Sequence, residues 1–287
     1  MASLKSLKNR IKTVRSTQKI TKAMKMVAAS KLKRARECAI AARPYAEQML
    51  EMITSLSGSY RAMGKSLLTG NGRSNTHLLL ICTADRGLCG AFNSGIIRLA
   101  KQHINTLTSS GHAVKLVCIG QKGYEYFKRT YPKLILTHRP GPGGKHGLSF
   151  REAEKIAEMV IDLFNDDQFD VCNLYYSQFK SAISQVPTAQ QLIPLPLKTN
   201  AEPEHYETES AEGELIERLL PRNIAAQVFS TLLENSASEQ GARMTAMDNA
   251  TRNSGEMIDK LNLLYNRTRQ AHITKELIEI ISGAEAV

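Results

Sequence analysis

Thr83 to Gly95 reads TADRGLCGAFNSG, with two glycines three apart between an apolar run and the start of a helical pattern. That is where a phosphate-binding loop lies in an α/β protein. Phosphate chemistry at such a loop needs either G-x-G-x-x-G spacing or a terminal Gly-Lys-Ser/Thr to hold β and γ phosphates and magnesium. Neither is present. A tight strand-to-helix turn calling for small residues explains Gly87 and Gly90 instead. The seven histidines (His77, His103, His112, His138, His146, His205, His272) include no pair at metal-ligand spacing, and no serine or cysteine occupies a nucleophile elbow. Asp162, Asp166 and Asp167 gather near a helix end and read as a solvated terminus. The five cysteines (Cys38, Cys82, Cys89, Cys118, Cys172) are odd in number and form no CxxC pair, so they suggest buried reduced thiols rather than a disulfide framework or a zinc site. The reading is of a chain with no catalytic residues, no cofactor and no metal.

Charge is where the sequence departs from the ordinary. Met1 to Arg43 holds thirteen basic residues against one acidic residue, Glu37, while the whole chain carries a net +11. The remainder is therefore near neutral, and the basic start calls for an acidic partner: nucleic acid, an anionic membrane or an acidic protein surface. A helix that needed only solubility would mix Glu with Lys and gain i,i+4 pairs. The arm has no aromatic residue before Tyr45, unlike a stacking nucleic-acid arm. No apolar run approaches the roughly 18 residues of a membrane span, and the basic start lacks the apolar core of a secretory signal. Heptad order in that start favours a mature helix over an organellar transit peptide.

That order is explicit. Leu4, Leu7, Ile11, Val14, Gln18, Thr21, Lys25, Ala28, Leu32, Ala35, Ala39, Ala42, Ala46, Met49, Ile53 and Leu56 recur about every 3.5 residues, and thirteen of these sixteen are apolar. Pro44 is expected to bend or interrupt the helix. At the far end, Arg222 to Ser282 contains no proline, and Met244, Met247, Thr251, Ser254, Ile258, Leu261, Tyr265 and Thr268 form a second seam. Pro221 is expected at the first turn of that helix, which would run ~90 Å at the usual rise per residue. Between the ends, short apolar runs alternate with amphipathic stretches. Strands are expected at His77 to Ala84, Ala113 to Gly120, Lys133 to Thr137 and Phe169 to Phe179. Helices are expected at Asn93 to Ser110, at Gln121 to Thr130 and after a capping box, Ser149 with Glu152. The fold class is thus α/β plus a long antiparallel coiled coil, with a central, open, mostly parallel sheet flanked by helices. The expected domains are 1–60, an N-terminal coiled-coil helix; 61–220, a central α/β domain; and 221–287, a C-terminal coiled-coil helix whose tip projects beyond the pair.

Two stretches carry a family resemblance. TQKITKAMKMVAASK (Thr17 to Lys31) and RQAHITKELIEIISGAEA (Arg269 to Ala286) closely resemble the first and last helices of the gamma subunit of F-type ATP synthases of bacterial type. DRGLCG (Asp85 to Gly90) and SEQGARMTAMDNAT (Ser238 to Thr251) are similar to that family's internal landmarks, and length and element order fit throughout. The resemblance implies a non-catalytic rotor shaft that couples ion flow to ATP synthesis or hydrolysis. Its coiled coil would turn inside a ring of alpha and beta subunits, and its α/β foot would be carried with the epsilon subunit on the membrane c-ring. No nucleic acid would bind, and membrane association would come through the complex, on the cytoplasmic face of the bacterial inner membrane. The positive arm would face acidic beta-subunit loops, each exposed pair being worth about 0.2 to 1 kcal/mol, weak enough to release and rebind.

Carried over residue by residue, the resemblance assigns beta contact to Met24 and Lys25 and, higher on the shaft, to Arg269 and Gln270. Coupling falls to Arg243, Thr274 and Glu276. Leu277, Ile278, Ile280 and Ile281 would run in a hydrophobic bearing, and the acidic segment from Glu202 to Glu214 is a candidate contact with the c-ring. Lys25 is basic where many relatives carry an acid, and no cysteine-bearing insertion of the chloroplast type interrupts the middle. Two other classes stand beside this reading. A nucleic-acid-binding coiled-coil protein predicts salt-dependent binding lost with residues 1 to 43, and a nucleotide-dependent enzyme predicts affinity of the isolated chain for nucleotide.

Overall fold

The computed structural model describes residues 3–57, 66–141, 148–196 and 212–285. Two compact units are distinguished: Met1–Ala28 together with Met244–Val287, and Ala29–Arg243. Two helices contribute to both, α1 (Leu4–Ser57) and α5 (Glu212–Glu285).

The larger unit is built on a five-stranded sheet of β1 (Thr76–Cys82), β2 (Ala113–Ile119), β3 (Ile135–Arg139), β4 (Val171–Phe179) and β5 (Gln185–Ile193), in the order β3-β2-β1-β4-β5. All pairings are parallel except β4 with β5. Its helices are α2 (Phe92–Ser109), α3 (Gln121–Thr130) and α4 (Phe150–Asn165), with segments of α1 and α5. Because alternate strand residues point to opposite faces, β1 builds two cores at once. Leu78, Leu80 and Cys82 join Ile156, Val160 and Phe164 of α4 and Ile224, Val228 and Leu232 of α5. Leu79 and Ile81 join Phe92, Ile96 and Ile104 of α2 and Phe127 of α3. Covering both faces of a parallel sheet requires near-continuous apolar strands, which is why LLLIC reads as a run and not an alternation.

The sequence-derived elements recur with four corrections. The third strand is Ile135–Arg139, two residues later than expected, because Pro132–Leu134 form a 3₁₀ turn. A fifth strand, QVPTAQQLI, was not anticipated; as an edge strand it needs no apolar run, and an edge tolerates Pro187. Pro44 does not interrupt α1, which continues to Ser57. Nor does Pro221 open α5. The helix begins at Glu212, and burial of Ile216, Leu220 and Ile224 on either side of Pro221 offsets an interior proline's cost of about 3 kcal/mol. The capping box is formed, with the Ser149 N–H donating to the Glu152 carboxylate at 3.0 Å. The acidic segment around Glu202 and most of the loop after Arg139 lie outside the described residues.

Buried polar groups join these layers. Asp170 accepts hydrogen bonds from Asn71 Nδ2 at 2.5 Å and from the backbone N–H groups of Asn75 and Thr76 at 2.9 Å. Burial pushes its carboxyl up, but these three donors together with the Arg73 charge outweigh it and hold the group below its ordinary value. Gly120 opens α3 at φ +100, and a Cβ there would overlap the Thr83 carbonyl oxygen. Elsewhere in this unit, Met49 and Ile53 of α1 pack with Ile216 and Leu220 of α5, and Arg43 meets the largely buried Glu234 at 2.9 Å.

In the smaller unit the two helices run antiparallel. Leu4, Leu7, Ile11, Val14, Gln18, Thr21, Lys25 and Ala28, the expected seam, are shielded from solvent, and in this stretch only Met24 is shielded besides them. On α5, Met244, Met247, Thr251, Ser254, Ile258, Leu261, Tyr265 and Thr268 are shielded likewise. The polar interval in the seam is matched across it: the Thr251 hydroxyl donates to Thr21 Oγ1 at 2.8 Å, and Lys25 Nζ reaches Asp248 Oδ1 at 2.6 Å. At Gly255 the helices come so close that a Cβ would lie 3.1 Å from Gln18 Nε2, which accounts for a glycine inside a helix.

Two expectations follow. Gly120→Ala destabilises the larger unit by about 3 kcal/mol or more, since a left-handed backbone and a steric overlap act together; chemical denaturation of the full chain measures it. Asp248→Lys sets two like charges across the seam and lowers the thermal midpoint followed by circular dichroism at 222 nm. Adding Lys25→Asp recovers it, whereas no recovery would show that the pair does not set the register.

Candidate functional site

The basic face follows directly from seam geometry. With every third and fourth residue of α1 turned inward, Lys5, Lys8, Arg10, Lys12, Arg15, Lys19 and Lys22 are all exposed. Lys25 is different. Its ammonium is engaged by Asp248, whose carboxyl that hydrogen bond holds below the ordinary carboxylate range. Met24, half-buried, borders the seam next to it. Ile20, Met26 and Val27 are exposed apolar residues on the same stretch, between 57% and 61% accessible, so the face is basic and oily together. Periodicity places these three off the seam, and that was the signal by which sequence reasoning could have included them.

Arg269, Gln270, Thr274 and Glu276 lie past the end of the seam. One step up α1 is one step down α5, so α1 is exhausted at Leu4 when α5 reaches Thr268. From Arg269 to Ser282 every described residue is exposed. Thr274 Oγ1 donates to the Gln270 carbonyl at 3.0 Å and Glu276 approaches His272 at 3.1 Å, contacts within one helix that leave the outward groups accessible. Leu277, Ile278, Ile280 and Ile281 are between 54% and 68% exposed, an apolar tip with no helix against it among the described residues. Lys25, opposite Asp248, is separated from Arg269 by about 30 Å of helix at 1.5 Å per residue. The structure therefore sets these residues at two levels of one unit and does not gather them into a pocket.

Arg243 belongs to the larger unit. Glu239, one turn earlier, holds it at 2.7 Å, and its guanidinium donates to the Gly87 carbonyl at 3.4 Å. The glycine-rich loop is thus tied to α5, and its other groups are also engaged. Asp85 Oδ1 accepts from the N–H of Gln121 at 2.9 Å, capping α3, and from that of Gly141 at 2.8 Å, while Asn93 Oδ1 accepts from the Ala84 N–H at 2.9 Å. Gly90 has φ +57, a conformation glycine favours, whereas at Gly87 a Cβ meets nothing, and the left-handed neighbour is Leu88, at φ +63. Glu239 and Asp248 were missed as partners. The first was legible from its i,i+4 spacing to Arg243, and the second required knowing the register of helices 223 residues apart.

The remaining reactive groups are in quiet settings. Burial pushes the Cys82 and Cys118 thiols up to about 12 and raises Cys89 and Cys172 as well, which suits inert thiols; Cys38 is exposed. Asp162 and Asp166 are solvent-exposed at the end of α4. Among the described residues there is no group of three or more His, Cys, Asp or Glu able to hold a metal ion, and no helix is long and apolar enough to cross a membrane.

Comparison with known proteins agrees with this geometry. A family model described as ATP synthase matches residues 3–287. The chain is 54% identical over 298 aligned residues to the ATP synthase gamma chain of Mesorhizobium japonicum and 55% identical over 291 to that of Bradyrhizobium diazoefficiens, each alignment covering 100% of both chains. A chain of the Tetrahymena thermophila mitochondrial ATP synthase central stalk and c-ring structure is 31% identical with a TM-score of 0.62, covering 80% of this chain and 99% of that one. A chain of the Euglena gracilis mitochondrial ATP synthase OSCP/F1/c-ring structure shares the fold at 18% identity, with a TM-score of 0.69 and coverage of 99% and 94%. With the family matched over nearly its whole length and gamma chains aligned end to end, this chain belongs to the ATP synthase family as a gamma subunit.

Proposed function

We propose that this gamma subunit is the central rotor shaft of its ATP synthase, transmitting torque between an ion-driven c-ring and a catalytic ring of alpha and beta subunits. The observation that carries the proposal is the seam that ends at Thr268 while α5 continues to Glu285, leaving a basic-and-oily face and a bare apolar tip. Such a surface suits partners contacted in turn and released, because exposed charge pairs are individually weak. Met24, Lys25, Arg269 and Gln270 are assigned to beta contact, Arg243, Thr274 and Glu276 to coupling, and Leu277, Ile278, Ile280 and Ile281 to the bearing. Lys25 enters beta contact already paired with Asp248, so its charge toward beta is partly neutralised within the rotor. Residues 61–220 form the foot that rides with epsilon on the c-ring. In this reading the chain is non-catalytic, and it is peripheral to the cytoplasmic face of a bacterial inner membrane through the complex.

Co-purification of the tagged chain from its own cells at moderate salt tests the reading. The expected result is recovery of alpha and beta subunits with ATPase activity. Nucleic acid recovered without those subunits would overturn it. Within the assembled complex, Met24→Lys adds a charge at the beta contact and is expected to lower ion pumping per ATP hydrolysed while assembly is retained. Failure of assembly with coupling intact in the residual complex would mean that Met24 has been given the wrong role.

A further inference from the structure

We propose that Asn235 and Ser238 form a torque clamp, the point at which α5 is fixed in azimuth to the sheet of the foot; the inference rests on the rotor reading. It begins with a mismatch in strand length. β1 pairs with β4 only as far as Ile81 opposite Tyr175, whereas β4 continues to Phe179. Ser177 therefore has no β1 residue beside it, and Pro187, opposite it on β5, has no N–H to offer. A buried backbone N–H and C=O cannot be left without partners at this depth. Both are taken by α5. Asn235 Oδ1 accepts from the Ser177 N–H at 3.0 Å, and the Ser238 hydroxyl donates to the Ser177 carbonyl at 2.8 Å. Asn235, Ser238 and Ser177 are 6%, 0% and 2% exposed. Two side chains one helical turn apart thus complete the sheet where β1 stops.

The location matters as much as the bonds. Ile224, Val228 and Leu232 pack on the face shared with α4, while Ala242 packs on the face shared with α2 and α3. α5 therefore crosses over the carboxyl ends of the strands between Leu232 and Ala242, at the junction of β1 and β4 where the chain's winding reverses. In open α/β sheets that crevice ordinarily receives a ligand. Here a helix of the same chain occupies it. Apolar contact is non-directional, so a buried stripe tolerates small turns of a helix about its own axis even though large ones would expose it. Hydrogen bonds to one fixed backbone point are directional and do resist such turns. At Gly241 the helix passes the β4–β5 turn, and a Cβ built there would sit 3.4 Å from Phe179 Cε2, at van der Waals distance.

The test uses the whole chain assembled with its own partner subunits in membrane vesicles, comparing Asn235→Ala/Ser238→Ala with the parent and with Ile104→Val. Ile104 is a buried residue of α2 that takes no part in the hydrogen bonds to Ser177, and its variant serves as a control of lowered stability. The double variant is expected to hydrolyse ATP and to lose ion pumping, with the Ser177 amide exchanging about tenfold faster. Pumping per ATP equal to the parent, or an equal loss in Ile104→Val, would overturn the clamp. If the double variant does not assemble, Asn235→Ala alone supports the same comparison. A parent chain that neither assembles nor drives pumping would sink the rotor reading itself, a separate outcome.

Discussion

One helix must satisfy five surroundings in succession, and the rest of the structure depends on how α5 does so. Its first turns are covered by the apolar residues of α1, and the next lie on a sheet face through Ile224, Val228 and Leu232. Asn235 and Ser238 then take the place of a missing strand. Beyond Arg243 the helix has a narrow seam, and beyond Thr268 it has none. A helix facing one environment shows one periodic stripe. α5 shows a sequence of stripes, and each change in composition marks a change in what must be buried or bonded.

The paired seam follows a different logic from the sheet. Its middle interval is lined by Ala28, Thr21, Thr251 and Ser254, with Gly255 against Gln18, so there close approach replaces bulky interdigitation. Small seam residues yield less apolar burial per turn than Leu or Ile would. What the polar interval adds is register, because Thr21 with Thr251 and Lys25 with Asp248 match at only one axial offset, whereas an apolar seam tolerates slippage by a turn. For a shaft loaded along and about its axis, resistance to slippage is worth some loss of cohesion.

The glycine-rich loop shows how a local motif can suggest one role and serve another. Its position after a strand and before a helix is that of a phosphate loop. In the folded chain Asp85 caps α3, Asn93 holds the Ala84 amide, Thr83 packs on Gly120, and the Gly87 carbonyl receives Arg243. The loop is a joint between β1, α3 and α5. Its residue types could be listed from the chain alone, but apart from Asn93, nine residues from Ala84, their partners came from segments 36 to 156 residues away.

By itself the sequence determined much of what depends on near neighbours. The 3.5-residue repeat placed the seam of α1 residue by residue, the Ser149 and Glu152 pair opened α4, and Gln121–Thr130 was delimited by Gly120 and the apolar run before it. Local periodicity is legible because burial on one face acts at a spacing of three or four residues. Tertiary structure alone decided what depends on distant surfaces. β5 is a strand because β4 offers it an edge, not because QVPTAQQLI has strand composition. α5 begins ten residues before Arg222 and tolerates Pro221 because α1 covers it there. Lys25 meets Asp248, and Ser177 is completed by Asn235 and Ser238, through a register and a strand-length mismatch that no window of sequence contains. Hydrogen-bond partners are chosen by proximity in space, and in a chain whose two ends pair with each other that proximity exists only after folding.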